Sequence, residues 1–157
     1  MTGPKHFTPS DPAYAARVEA SFARQGIMGL LGARLTRIEP GLCEIQLPYR
    51  PDLGQQHGYF HAGVTSTIAD SAGGYAGFTL FPADSSVLTV EFKVNLLAPA
   101  DGDLLIATGR VIRSGRTLTV CELEVEVEKA GRRTACAHGL QTLIALVGRP
   151  DGPEVAQ

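Results

Sequence analysis

Hydrophobic positions switch between helical and strand-like spacing along this chain. Tyr14, Val18 and Phe22 recur every fourth residue, Asp11 before Pro12 reads as an N-cap with proline at the first helical position, and Gly26 closes a short predicted helix. Gly32 to Ile38 is strand-like, Pro40-Gly41 forms a turn, and Cys43, Ile45 and Leu47 alternate with Glu44 and Gln46, so a hairpin is expected. Pro48 to Gly54 reads as a loop. From near His61 the helical period returns: Val64, Ile68, Ala72 and Tyr75 share one face, while Gly63, Ser66, Thr67, Asp70, Gly73, Gly74 and Gly77 occupy a neighbouring one. The first face suits a core. The second admits another backbone, or a ligand close to Asp70.

After Pro82 the period becomes two. Val90, Phe92, Val94 and Leu96 alternate with Thr89, Glu91, Lys93 and Asn95, and Pro99 with Gly102 ends that strand. Leu104 to Arg113 is the next, Ser114-Gly115 its turn, and Thr117 to Glu128 the third. Within the third, the apolar set passes from Leu118 and Val120 to Leu123, Val125 and Val127. This one-residue phase slip predicts a bulge near Cys121-Glu122. Ala130-Gly131 turns into a last strand, Thr134 to Leu146. Short turns make neighbouring strands antiparallel, so the expected class is α+β, one curved antiparallel sheet against a single long apolar helix. Residues 1–10 are expected to form a flexible arm, 11–147 one domain, and 148–157 a flexible tail.

Composition narrows the function. At 157 residues with a net charge of −2, the chain has the length of one domain and no basic footprint for nucleic acid or an anionic membrane. MTGPKHFTPSDP has no apolar leader segment, so a cytoplasmic protein is expected. Cys43, Cys121 and Cys136 are an odd number without CxxC spacing, each in a strand-like apolar context, and read as buried free thiols.

The chemistry centres on the stretch Gln55 to Ala83. Asp70 is the one formal charge in the 26 residues from Gly58 to Ala83, and five glycines with several hydroxyls exclude a membrane span. A carboxylate in such surroundings needs hydrogen-bond partners, whether for a structural network or for catalysis. His57 and His61 stand four apart, but Gly58 between them and the lack of a nearby third ligand argue against zinc. Phe60, Tyr75, Phe78 and Phe81 are candidates for an acyl or aryl pocket, although aromatics at helical spacing ordinarily belong to the core.

QQHGYFHAGVTSTIADSAGGYA resembles the signature of hotdog-fold acyl-CoA thioesterases of the phenylacetate-pathway type, in which an Asn or Gln precedes HGG and an acid follows nine residues after that histidine. Gln55, His61-Ala62-Gly63 and Asp70 occupy those places. TVEFKVNLLAPA is similar to the family strand that starts with Ser or Thr and ends in Pro, and IRSGRTL to its CoA-contacting turn. The resemblance implies a homodimer whose sheets join, with active sites built from both protomers; a homotetramer is the further expectation, and the sequence leaves dimer against tetramer open. Asp70 would be the general base or the nucleophile, and the Ala62 N–H at the helix start would receive the thioester oxygen. Gln55, with Gln56 as the weaker candidate, would orient the thioester or the water. His61 would either meet substrate or order the loop through hydrogen bonds, and Thr89 would position water beside Asp70. Gly63, Arg113, Gly115, Arg116 and Thr117 would contact substrate or CoA, two arginines about a glycine turn being apt for phosphate. No metal or redox cofactor is expected, CoA being part of the substrate.

Two departures stand out. Ala62 replaces the usual glycine and adds a Cβ, and Gly74 sits where some relatives carry a hydroxyl. Two other functions fit the fold class, a hotdog hydratase or dehydratase and a non-catalytic acyl-CoA-binding protein. The His61 to Asp70 interval argues against the first, and the absence of an output module in this sequence against a regulatory form of the second.

Overall fold

The computed structural model describes residues 6–153, so the outer ends of the expected arm and tail lie outside the described residues. Ten elements follow in order: α1 (Tyr14–Arg24), α2 (Gly26–Leu31), β1 (Arg34–Glu39), β2 (Leu42–Pro48), a 3-10 turn (Pro51–Leu53), α3 (Ala62–Phe78), β3 (Ser85–Leu96), β4 (Leu104–Ser114), β5 (Leu118–Lys129) and β6 (Arg132–Val147). All six strands join one antiparallel sheet in the order β1-β2-β4-β5-β6-β3. The expected α+β architecture is therefore present, with α3 on the inner face of the sheet and β1 and β3 as the two edges.

Both faces of α3 are in use. Ile68, Ala72, Tyr75 and Phe78 are buried in the core, where removal of each large side chain from water contributes about 1.5–3 kcal/mol. On the small-residue side the strands come close. A Cβ on Gly109 of β4 would collide with the Ala72–Gly73 peptide, and one on Gly77 with Leu143 of β6. The glycines thus let backbone approach backbone, as the sequence allowed. Arg17 of α1 holds the far end of α3, donating to the carbonyls of Phe78 (3.1 Å), Phe81 (2.8 Å) and Pro82 while stacking on the Phe78 ring.

The first helix starts later than expected, at Tyr14 with Ala13 as its N-cap, and Asp11 instead accepts from the Ala13 N–H (2.9 Å) in the turn before it. Four further local expectations change. The chain between Gln25 and Gly32 is helical: α2 buries Met28 and Leu31, and Gly32 is its left-handed C-cap at φ +78, so β1 begins only at Arg34. Six residues with two glycines give too short a stripe for periodicity to reveal. Secondly, β5 has no bulge at Cys121-Glu122. Thr119, Cys121, Leu123, Val125 and Val127 all point inward and are buried, because a threonine rather than a leucine fills the first inward place. The irregularities sit on its neighbours instead, at Ile112 of β4 and Cys136 of β6. Thirdly, β3 carries an unexpected bulge at Val90, since Thr89 pairs with Leu143 and Glu91 with Thr142. Finally, residues 148–153 are held to the body: Gly148 N–H donates to Asp84 O (2.7 Å), and Asp151 pairs with Arg24 of α1 (2.6 Å).

Candidate active site

The Val90 bulge brings the first functional group into place. Strict alternation would put Thr89 on the same side as Glu91, facing away from the helix. One extra residue turns Thr89 inward, and its hydroxyl donates to Asp70 Oδ1 at 2.7 Å. A second donor reaches the same oxygen from β6: Gln141 Nε2 lies 2.7 Å from Asp70 Oδ1, 3.0 Å from the Asp70 carbonyl oxygen and 3.1 Å from Thr89 Oγ1. Asp70 itself is half-buried, not sealed in the core. It lines a cavity of about 520 Å³ whose walls include Ser21 and Arg24 of α1, Gln25 at the junction of α1 and α2, Gly74 and Tyr75 of α3, and Asp151 of the tail segment.

Gln141 is the residue that sequence reasoning missed. It is 1% exposed in a strand whose other inward positions include Ala137, Gly139, Leu143 and Ala145. A large amide among small and apolar inward residues was the available signal, since a buried polar group needs a partner. The cavity wall is polar as well. Tyr75 Oη and Ser21 Oγ share a hydrogen bond (3.2 Å), and Ser71 Oγ donates to Gln25 Oε1 (3.1 Å). Burial pushes the Tyr75 phenol above its ordinary pKa, so it stays a neutral hydroxyl. Gly74 leaves open space beside Asp70: a Cβ there would meet nothing within 4 Å.

The second group of predicted residues lies at the other end. His61 is the N-cap of α3, its Nδ1 accepting from Gly63 N–H at 2.9 Å, while its backbone oxygen accepts from Val64 and Thr65. Of the two roles left open for His61, the ordering one is visible. Those bonds satisfy the amides of Gly63, Val64 and Thr65. The Ala62 N–H has no partner among the described residues and stands at the positive end of the helix. Ala62 is not in the left-handed region, so its Cβ brings no backbone strain. Gln55, His61 and Ala62 line a second pocket, of about 220 Å³, with Leu96, Ala98 and Pro99. The Gln55 Oε1 accepts from the His57 N–H, folding that side chain against its own loop. Gln56 is exposed, and His57 belongs to that loop and not to a helix, so His57 and His61 share no helical face.

One chain does not unite these groups. Eight residues of helix separate Ala62 from Asp70, about 12 Å along the axis. The predicted CoA turn is elsewhere again: Arg113, Gly115, Arg116 and Thr117 are exposed at the β4–β5 hairpin. Thr117 O accepts from Ala145 N–H, and Ala145 pairs with Val87, so the hairpin lies at the Asp70 end of the sheet, two strands or about 10 Å from β3. Phe60, Phe78 and Phe81 are buried in the core, and of the four aromatics considered for an acyl pocket Tyr75 alone reaches the larger cavity.

Residues 57–137 match the Thioesterase superfamily. A crystal structure of a thioesterase family protein from Silicibacter pomeroyi superposes with a TM-score of 0.85 at 47% identity, covering 86% of this chain and 99% of that one. A protein from Halobacterium salinarum named as an esterase is 33% identical over 71% of this chain and 76% of its own length. The 1,4-dihydroxy-2-naphthoyl-CoA hydrolase of Listeria monocytogenes is 28% identical over 66% of this chain and 86% of its own.

Proposed function

The chain belongs to the thioesterase superfamily, with a hotdog fold, and from that membership we propose that it hydrolyses an acyl-CoA or aryl-CoA to the free acid and CoA at sites shared by two copies. One observation carries the reading. The acid with its donors and the unpaired helix-start amide lie at opposite ends of the same edge strand. Asp70 bonds to Thr89 near one end of β3, and the Ala62 pocket touches Leu96 at the other, roughly 20 Å along the strand. Pairing two copies of β3 antiparallel, centred on Lys93 and passing over the extra residue Val90, sets Thr89 of each beside Leu96 of the other. The half-sites then meet twice.

The edge is suited to such pairing. β3 is twelve residues long, and its inward-facing Phe92 and Leu96 are 45% and 58% exposed, apolar surface that a lone protomer leaves in water. On the outer face, Leu88 and Leu118 flank Ile144 in one cross-strand row, and the two leucines are likewise exposed. That row supports stacking of two dimers into a tetramer. Asp70 takes a proton from water, the resulting hydroxide adds to the thioester carbonyl, and the Ala62 N–H receives the charge on oxygen. As the C–S bond breaks, the proton held by Asp70 passes to sulfur, CoA leaves as the thiol and Asp70 is a carboxylate again. Gln55 orients the thioester, and Arg113 and Arg116 lie on the surface to meet the CoA phosphates with Gly115 and Thr117.

Steady-state hydrolysis of a panel of CoA esters tests this. Asp70→Ala should lower kcat by about 10² to 10⁴ on every ester turned over. Equal rates in both proteins would overturn the assignment.

A further inference from the structure

We infer that Gln141 is a positioning residue for Asp70: its buried side-chain amide fixes which carboxylate oxygen is tied to the protein and which is left for water. This rests on the reading of Asp70 as the reacting acid. Two donors, Thr89 Oγ1 and Gln141 Nε2, converge on Oδ1, whereas Oδ2 has no partner among the described residues. The same Nε2 reaches the Asp70 carbonyl, so one amide grips both the side chain and the backbone of the acid. Rotation of the carboxyl group would break both bonds to Oδ1 together.

The surroundings give up something for this arrangement. Gln141 Oε1 is buried with no hydrogen-bond partner, an unfavourable state for an amide oxygen. It cannot be relieved by flipping the amide, because the Asp70 carboxylate and carbonyl both require a donor on that side. Gly73, one turn along α3, leaves the room: a Cβ there would run into Gln141 Oε1 and Leu123. An apolar residue of the same volume would fill this place with no orphaned oxygen. The amide is thus costly for stability and useful only through what its N–H groups hold.

Gln141→Met, which conserves volume and deletes the donors, should lower kcat about 10- to 100-fold with KM little changed, the size of effect expected for a support behind a reacting group. Its Tm should stay level or rise. A wild-type kcat in the folded variant, or a rate loss matched by a collapse in Tm, overturns the proposal. A second measurement needs neither the variant nor a substrate. In the wild type, the Gln141 side-chain amide resonances should move with pH together with the Asp70 carboxyl carbon, and the Asp70→Asn variant should abolish that movement. Amide resonances indifferent to pH overturn the proposal even if Gln141→Met does not fold. Should Asp70→Ala hydrolyse as fast as wild type, the acid itself is misassigned. Should Asp70→Ala be inactive and Gln141→Met fully active, this inference alone falls.

Discussion

The two ends of α3 solve opposite problems. At its start, a histidine and a backbone carbonyl satisfy three of the opening amides and leave the fourth, Ala62, in an exposed pocket. Eight residues on, the acid is gripped by groups from two strands, with Gly73 and Gly109 permitting close contact. The first region is local and wet, assembled from a single loop and helix turn. The second is non-local, drawing on residues 19 and 71 positions away. A helix start presents donors with little outside help, whereas a carboxylate must be held from several directions to keep one orientation.

The largest effect expected from this division is all-or-none. Ala62→Pro removes the amide donor while suiting the helix, because proline is favoured at the first helical position and His61 already has the extended backbone (φ −67, ψ 139) that a following proline requires. Loss of such a donor costs about 10² to 10³ in kcat. Asp70→Ala disables the other half. If each site takes its acid from one protomer and its amide from the other, a mixed dimer of the two variants holds one intact site and recovers about half the wild-type activity. Differently tagged subunits, co-expressed and purified through both tags, provide the test. A mixed dimer no more active than its parents would return both halves to a single chain and end the shared-site reading.

The same contrast decides which parts of the fold and site are legible in the sequence. The loop and helix start follow from spacing, since Gln55, His61 and Ala62 lie within eight residues. The strand periods gave the antiparallel sheet and its order of turns, because alternation reports burial directly. Resemblance alone links Thr89 to Asp70, for the contact depends on a bulge at Val90 that no hydropathy slip announces. Conversely, the slip that is visible in β5 marks no bulge. It arises because Thr119 occupies an inward position. Gln141 escaped because its partner is 71 residues away, and α2 because two helical turns with two glycines carry too little pattern.

A smaller effect separates the two donors on Asp70. Thr89→Val keeps the shape and deletes the hydroxyl, but Thr89 is exposed where Gln141 is buried, so water replaces part of what is lost. We expect kcat to fall about three- to tenfold, less than for Gln141→Met, consistent with a partly solvated bond to a charged acceptor. Kinetics of the two variants on one ester give the ranking. A larger loss at Thr89 would mean that its hydroxyl touches the reacting water itself.

The smallest effect concerns the dry side behind Gly73, where Cys121 Sγ lies 3.5 Å from the Gly73 carbonyl. Burial pushes this thiol up to about 12 and that of Cys136 up to about 11, and holds Cys43 higher still. Unfolded thiols release their protons near pH 8.5, so between there and pH 11 the unfolded chain ionises while the folded one does not. Their contribution to stability is therefore complete below about pH 8.5 and is lost as pH rises through the folded values. Each such thiol adds up to about 1.4 kcal/mol of destabilisation per pH unit within that window. Urea unfolding at pH 8, 9 and 10 should show the loss, and Cys121→Ala should make the decline shallower without altering the cysteine-independent part. An equal slope in the variant would mean that water reaches the back of the acid's support, and that the wet and dry ends of α3 are not as distinct as the geometry makes them.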